Sequence, residues 1–212
     1  MIKKRGMLII VLVMSGILNL IAFLYDKEIV SFIASNRNDF LDYLFLSITF
    51  ASNAYIIFFF LTTIFLLNDN KRRWVLPLWF TSFFAIAISY LIKIIIARPR
   101  PFQDIKGLRV LQIAFHFMRN NFNTWNFSFP SFQALLVFAA LPIINKEFKK
   151  FRYVWFVFAC LVGFSRVYFG VHYLSDAIAG AIIGYLIGLL MVKIEEKYSY
   201  SHILMKRLGV SR

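Results

Sequence analysis

The sequence has a single cysteine, few acidic residues and little charge of any kind. Cys160 lies in an apolar run, so no disulfide and no thiolate metal site can form within the chain, and we interpret it as a small core residue. Charged residues make up 16% of the 212 residues and hydrophobic residues 60%. A soluble domain of this size needs far more polar surface. This composition excludes an ordinary soluble enzyme and indicates an integral membrane protein. No A-x-A-like site follows the first apolar segment, so we expect no cleavable signal.

Six apolar segments follow one another along the chain, each near the ~20 residues that a helix needs to cross a bilayer. They are continuously apolar rather than alternating, which favours helices over strands. The segments are Met7–Tyr25, Leu41–Leu67, Trp74–Ile96, Pro130–Ile144, Tyr153–Phe169 and Tyr173–Val192, of which the fourth is short. We therefore predict an all-α, polytopic membrane protein with six transmembrane helices, in which residues 1–212 form one domain.

Lysine and arginine are distributed unevenly, and this bias predicts orientation in the membrane. Most of the 24 basic residues lie at the N-terminus, after the second segment, after the fourth segment and in the tail 193–212. We expect these parts, and so both termini, in the cytoplasm. The tail is typical of a surface segment attracted to anionic lipid. Most of the net charge of +14 is thereby explained by cytoplasmic loops, without a nucleic-acid partner.

Three connections remain for the outer side: residues 26–40, residues 97–129 and the stretch Ser165–Asp176. The first mixes both signs of charge and is interpreted as an interfacial cap. The long outer loop 97–129 is rich in aromatic residues, as in an interfacial belt. Seven basic residues on this side run against the positive-inside bias and need another explanation: Lys93, Arg98, Arg100, Lys106, Arg109, Arg119 and Arg166.

The first polar stretch on the outer side reads KIIIARPRP, from Lys93 to Pro101. Its two prolines stop the helix and fix φ, so Arg98 and Arg100 are expected on a stiff, extended segment. Each cation taken alone has a simpler interpretation, since Lys93 could snorkel to the headgroups and the arginines could contact lipid.

Two further stretches carry matching chemistry. Pro130 suits the first turn of the fourth helix, where Ser131 and unpaired backbone amides form an anion site. Arg166 is a planar donor suited to phosphate. His172 and Asp176 are four residues apart, so on a helix they share a face, where the carboxylate would orient the imidazole as nucleophile or base. An isolated pair would only join two helices, but beside several cations it predicts phosphate transfer.

Lys93-x6-Arg100-Pro101, Pro130-Ser131 and Ser165-Arg166-x5-His172-x3-Asp176 together resemble the three signatures of the type 2 phosphatidic acid phosphatase superfamily. The resemblance spans most of the chain and implies removal of phosphate from a membrane lipid, without a metal or other cofactor. It implies that His172 is the nucleophile, forming a phosphohistidine, and that Asp176 orients it. It also implies a set of phosphate-binding residues: Lys93, Arg100, Ser131 and Arg166.

The second signature departs from the family pattern. The family usually has Pro-Ser-Gly-His, whose histidine is the general acid, whereas Phe132 and Gln133 follow Ser131 here. Glutamine can donate a hydrogen bond but cannot supply a proton at neutral pH. Phe132 replaces the glycine that lets the backbone approach phosphate closely.

Three explanations of this departure stay open. A diphosphate substrate needs little acid catalysis, because the leaving phosphate monoester has a second pKa near ~6. That favours a polyprenyl diphosphate over phosphatidic acid, phosphatidylglycerophosphate or lipid A. His116 of the long loop could act as a substitute acid, although a lone histidine beside aromatics is more often an interface residue. Finally, the protein could be a weakened or inactive relative that binds or transports phospholipid.

The preferred interpretation is a lipid phosphatase in a bacterial inner or plasma membrane, with its site facing the periplasm or exterior. A transporter would be expected to have polar or Gly/Pro-broken helices near the midplane, whereas the charges here gather at one surface. The sequence does not indicate which lipid is the substrate or what the oligomeric state is.

Overall fold

A computed structural model of the chain describes residues 2–105 and 127–201. These ranges are helical and contain no strand, so the all-α prediction is confirmed for them. A 3-10 turn, Asp69–Trp74, precedes α5. The helices are α1 Ile2–Leu24, α2 Asp26–Ser35, α3 Asp39–Ala51, α4 Ala54–Leu66, α5 Val75–Ile96, α6 Pro101–Asp104, α7 Phe132–Glu147, α8 Phe151–Tyr168 and α9 Leu174–Tyr198.

Four stretches of the described chain are long and apolar enough to cross a membrane, and they contain α1, α5, α8 and α9. The pair α3 and α4 would add a fifth span, but its axes are bent by 60°. The predicted segment Leu41–Leu67 is therefore two helices rather than one. The α7 helix has 16 residues and is shorter than these candidate spans. Six spans and the cytoplasmic termini stay predictions.

The bend between α3 and α4 has a local cause in the sequence. The Asn53 side chain accepts a hydrogen bond of 2.9 Å from the backbone N–H of Tyr55 and so caps the N-terminus of α4. Asparagine is among the most favourable N-cap residues, because its side-chain oxygen satisfies an amide that the first turn leaves unpaired. A new helix therefore starts inside a continuously apolar run.

The core of the bundle forms around α7, which contacts α5, α8 and α9. Residues from Ala134 to Ile144 are buried almost without interruption. By contrast, most apolar side chains of α1 are exposed, as expected where lipid covers a helix. Cys160 also lies on an exposed face, of α8, so its interpretation as a core residue was wrong.

Three glycines on one face of α9 determine how closely this helix approaches α7. A Cβ atom on Gly184 would lie 2.0 Å from the carbonyl oxygen of Leu135, and one on Gly188 would lie 2.0 Å from that of Ala139. At Gly180 the corresponding distance, to the carbonyl oxygen of Ser131, is 2.5 Å. Small residues four apart allow such close backbone packing between membrane helices. This contact brings the N-terminal ends of α7 and α9 together.

The connection 26–40, expected as an interfacial cap, contains a helix. The α2 helix contacts α8 and α9, and its Asp26 and Val30 are buried. Asp26 therefore points into the protein, towards the N-terminus of α9, rather than into the membrane interface.

Candidate active site

The first polar stretch begins in the last turn of α5. Lys93 is buried there, and its Nζ donates a hydrogen bond of 2.6 Å to the carbonyl oxygen of Phe127. The helix ends at Ile96, and its C-cap Ala97 adopts a left-handed conformation with φ of 47°. The carbonyl oxygen of Arg98 then accepts from the N–H of Ser128 at 2.8 Å. These two contacts hold the far end of the long outer loop against the end of α5.

Arg100 reaches the turn between α8 and α9. Its backbone is extended, as the flanking prolines predicted. Its Nη1 donates to the carbonyl oxygen of Val171 at 2.9 Å and lies 3.3 Å from Nε2 of His172. A guanidinium can only donate hydrogen bonds. Nε2 of His172 is therefore the acceptor nitrogen, its lone pair faces Arg100, and the proton of the neutral ring belongs on Nδ1.

Arg166 both supplies a buried guanidinium and shapes the turn that carries His172. Its carbonyl oxygen accepts from the N–H groups of Val171 and His172, each at 3.2 Å. Gly170 makes this reversal possible with φ of 65°, a conformation that glycine adopts without a steric cost. The Nη1 atom of Arg166 lies 3.5 Å from Oγ1 of Thr49. Its Nε atom has no hydrogen-bond partner within residues 2–105 and 127–201.

Ser131 is the N-cap of α7, and Pro130 precedes the cap rather than occupying the first helical turn as predicted. The Ser131 N–H donates to the carbonyl oxygen of Asp176 at 3.0 Å, which joins the starts of α7 and α9. The Ser131 hydroxyl is buried and has no hydrogen-bond partner among the described residues. Helix N-termini favour anions, so this hydroxyl lies where an anion would be stabilised.

His172 and Asp176 are close, but not as two residues on one helical face. The α9 helix begins at Leu174, so His172 lies before it, whereas Asp176 lies in its first turn. Nδ1 of His172 is 3.6 Å from Oδ2 of Asp176, which is longer than a hydrogen bond. Catalytic contacts are often long without substrate and tighten when it binds. The predicted orientation of the imidazole by the carboxylate stays a prediction.

The imidazole of His172 is neutral at physiological pH. Burial lowers its pKa from 6.5 to about 3; the nearby Asp176 carboxylate opposes this effect, and the Arg100 and Lys93 charges reinforce it. A buried imidazole without its proton keeps a lone pair on Nε2, as a nucleophile requires.

This lowered pKa predicts how stability depends on pH. Between pH 6.5 and about 3, the histidine is protonated in the unfolded state, where its pKa is 6.5, but not in the folded state, where its pKa is about 3. Stability is therefore complete above pH 6.5 and falls below it, by up to about 1.4 kcal/mol per pH unit. In thermal unfolding in detergent between about pH 4 and 8, the native chain should lose stability on acidification more steeply than H172Q. Parallel profiles would contradict the buried, neutral state.

Of the two residues predicted on the leaving-group side, the structure describes Gln133 but not His116. Gln133 is the second residue of α7 and is half-buried beside Ser131 and Phe132. His116 lies outside the described residues, as do Lys106, Arg109 and Arg119. Their suggested roles stay predictions, and so does the expectation of a reaction without metal or cofactor.

Four buried or largely buried polar residues near the pair were not predicted as part of the site: Asp26, Arg98, Ser128 and Ser175. Arg98, for which a lipid contact was one simple interpretation, forms salt bridges with Asp26 and Asp176, both at 2.8 Å. One signal was available in the sequence: Arg98 is among the outer basic residues that run against the positive-inside bias.

Comparison with known protein families identifies the family to which the chain belongs. A sequence profile described as "PAP2 superfamily" matches residues 74–200, which include all three motifs. The chain belongs to the PAP2 superfamily. The family prediction is therefore confirmed, and membership covers every residue of the three signatures named above.

Individual relatives in the PAP2 superfamily are similar over different shares of the chain. "Bacitracin transport permease protein BcrC" of Bacillus licheniformis is 40% identical over 75 residues, which are 35% of this chain and only 37% of that protein. "Undecaprenyl-diphosphatase BcrC" of Bacillus subtilis is 29% identical over 167 residues, 76% of this chain and 79% of that one.

A solved PAP2 structure has a similar fold. It is the PAP2-type phosphatidylglycerolphosphate phosphatase of Bacillus subtilis, with a TM-score of 0.67 and 21% identity. The alignment covers 88% of this chain and 96% of that chain. The helical arrangement described above is thus that of a membrane PAP2 protein.

Proposed function

We propose that the protein is a membrane lipid phosphatase in which Nε2 of His172 attacks phosphorus. One observation carries this proposal: Nε2 of a neutral, buried histidine lies 3.3 Å from a guanidinium nitrogen of Arg100. An attacking nitrogen and a phosphate-binding cation are then adjacent, so a phosphoryl group bound by Arg100 would be next to the nucleophile.

The remaining cations and donors support a phosphate at this position. Neither Lys93 nor Arg166 forms a salt bridge with a carboxylate in the part of the chain that the structure describes, and both are buried. Buried charges and donors without partners are costly. Arg166 Nε and Ser131 Oγ are unpartnered in the same region. A phosphate dianion has enough acceptor oxygens to satisfy these groups together.

The proposed reaction has two steps. In the first, the bond between Nε2 of His172 and phosphorus forms while the bond from phosphorus to the leaving oxygen breaks. In the second, water attacks the phosphohistidine, inorganic phosphate leaves and the imidazole is regenerated. Asp176 stabilises the positive charge on the ring in between, as a carboxylate does beside an imidazolium. Buried cations stabilise charge on the phosphoryl oxygens.

A lipid diphosphate is the substrate class that the leaving-group side favours. With Gln133 where the family usually has a histidine, a leaving alkoxide would lack its proton donor. A leaving phosphate monoester, with a second pKa near ~6, needs no such donor. The name of the Bacillus subtilis relative, undecaprenyl-diphosphatase, supports this choice. We accordingly propose a polyprenyl diphosphate as the substrate, ahead of phosphatidic acid, phosphatidylglycerophosphate and lipid A.

We further propose six membrane spans, with α3 and α4 together as one and α7 as another, and both termini in the cytoplasm. The basic residues after α4, after α7 and in the tail support this orientation. The site then faces the periplasm or exterior of a bacterial inner or plasma membrane.

The test of the function is phosphate release by the purified protein in detergent with EDTA. The substrates are polyprenyl diphosphate, phosphatidic acid, phosphatidylglycerophosphate and lipid A. We expect release from all or some of them, fastest from the diphosphate. No release from any, together with retained binding of phospholipid, would instead support the alternative of a binding protein without turnover.

Substitution of Gln133 by histidine is expected to change substrate preference. The new imidazole would protonate a leaving alkoxide, so we expect kcat on phosphatidic acid to rise by about 10- to 100-fold and kcat on a diphosphate to change little. The measurement is kcat on both substrates, with Gln133→Ala as the control that removes the amide without adding an acid. An equal effect of Gln133→His on both substrates would argue against a missing general acid at this position.

A separate variant tests His116. If His116→Ala lowers turnover of monophosphates only, His116 is the general acid in place of the usual histidine.

A further inference from the structure

Among the described residues, the side chain of Arg98 forms salt bridges with carboxylates, unlike that of Arg166. Its Nη1 donates to Oδ1 of Asp176 and to Oγ of Ser175, both at 2.8 Å, and its Nη2 donates to Oδ2 of Asp26 at 2.8 Å. The guanidinium also stacks on the ring of Tyr173, 4.0 Å from the ring centroid. Both terminal nitrogens therefore donate within the protein, and two of their three acceptors are carboxylates.

Asp26 completes this cluster from a different helix. Its Oδ1 accepts from the N–H of Ser175 at 3.0 Å, and its Oδ2 accepts from the Ser175 hydroxyl as well as from Arg98. A carboxylate at a helix N-terminus is stabilised by the unpaired amides and the helix dipole. Asp26 thus attaches the start of α2 to the start of α9 and balances the charge of Arg98.

The two oxygens of Asp176 are held from opposite sides. Oδ1 faces Arg98, whereas Oδ2 accepts from the Ser128 hydroxyl at 2.6 Å and from the Tyr173 N–H at 2.8 Å. Oδ2 is also the oxygen nearest His172. With both oxygens held, the carboxylate cannot rotate, and the face that it presents to the imidazole is constant.

We propose that Arg98 is a positioning residue, which holds the Asp176 carboxylate against His172 and is itself held by Asp26. The proposal rests on the proposed phosphatase function. Loss of Arg98 frees one side of Asp176, so the imidazole is oriented less well in the reactive state. Because Arg98 acts through Asp176 in this proposal, its loss acts on kcat and leaves KM nearly unchanged.

The test compares R98A, R98K and D26N with the native chain on the substrate that the native chain turns over best. We expect R98A to lower kcat by about 10- to 100-fold, as for hydrogen-bond partners that orient metal-ligating side chains, with KM within about threefold. R98K keeps the charge but lacks the planar fork that reaches three acceptors, so its loss should be intermediate. D26N should lose less than R98A.

A matched control separates positioning from general destabilisation. Arg37 is also largely buried and ion-paired, with Asp42 at 3.2 Å, and it stacks on Tyr168 and Phe169. R37A should lower the thermal stability with kcat close to native. Free guanidinium at millimolar concentration should restore part of the kcat of R98A, because it can occupy the vacated site, and should not affect R37A.

Specific outcomes would overturn the proposal. They are an unchanged kcat in R98A, a loss confined to KM, or a loss that guanidinium does not restore and that R37A shares. If R98A does not fold, the double variant D26N/R98Q leaves the net charge of the cluster unchanged and must show the same kcat loss. Absence of turnover by the native chain contradicts the proposed function itself, whereas an active native chain with an equally active R98A contradicts only the role of Arg98.

Discussion

Replacement of His172 by asparagine is expected to lower phosphate release by a factor on the order of 10⁴ to 10⁶, the range seen when a nucleophile is removed. Asparagine has no nitrogen lone pair with which to attack phosphorus, so the covalent intermediate cannot form. The variant retains the proposed phosphate-binding residues Lys93, Arg100 and Arg166, so we expect it to bind substrate. The measurement is kcat on a lipid diphosphate, with substrate binding followed separately.

A second measurement identifies the intermediate directly. Brief reaction with a substrate carrying a labelled phosphate should leave label on the native protein that is lost in acid and survives alkali, as expected for a phosphorus–nitrogen bond. D176N should accumulate less label, because its amide stabilises the imidazolium poorly. H172N should have none. Release or labelling that persists in H172N would remove His172 from the proposed role.

Replacement of Gly184 by alanine is expected to destabilise the bundle strongly. The new Cβ would lie 2.0 Å from the carbonyl oxygen of Leu135, and a backbone atom of a buried helix cannot move aside cheaply. We expect a loss of about 3 kcal/mol or more, at or above the upper end for overpacked cores. The measurement is thermal unfolding in detergent.

The control for Gly184 is Gly16 in α1, where no atom lies within 4 Å of an added Cβ. Gly16→Ala should be neutral or stabilising by about 0.5–1 kcal/mol, from helix propensity alone. Gly184→Ala should also lower activity, because separating α9 from α7 moves Asp176 away from the N–H of Ser131, now 3.0 Å from its carbonyl oxygen. Equal unfolding temperatures for the two variants would contradict the close packing.

Hydropathy predicted the helical class and located most helices, because burial in lipid requires continuous apolar runs. It did not separate α3 from α4, since both halves are apolar and only the Asn53 cap indicates the break. Hydropathy also led to the wrong prediction that Cys160 lies in the core. The lipid-facing and protein-facing sides of an apolar helix have the same composition, so hydropathy does not distinguish them.

The glycine spacing Gly180-x3-Gly184-x3-Gly188 is visible in the sequence. Small residues four apart predict a close helix contact. They do not say which helix makes it, and the partner, α7, is known only from the packed structure.

By itself, the sequence determined the family and the residues of its three motifs, because the chemistry of phosphate binding depends on residue type and on short spacings along the chain. Tertiary structure alone decided that His172 precedes α9 rather than sharing a helical face with Asp176. It also decided that Arg98 bridges Asp176 and Asp26, residues 78 and 72 positions away. Such contacts depend on how the helices pack. Packing brings together side chains that are far apart in the sequence, and their spacing along the chain does not predict that they meet.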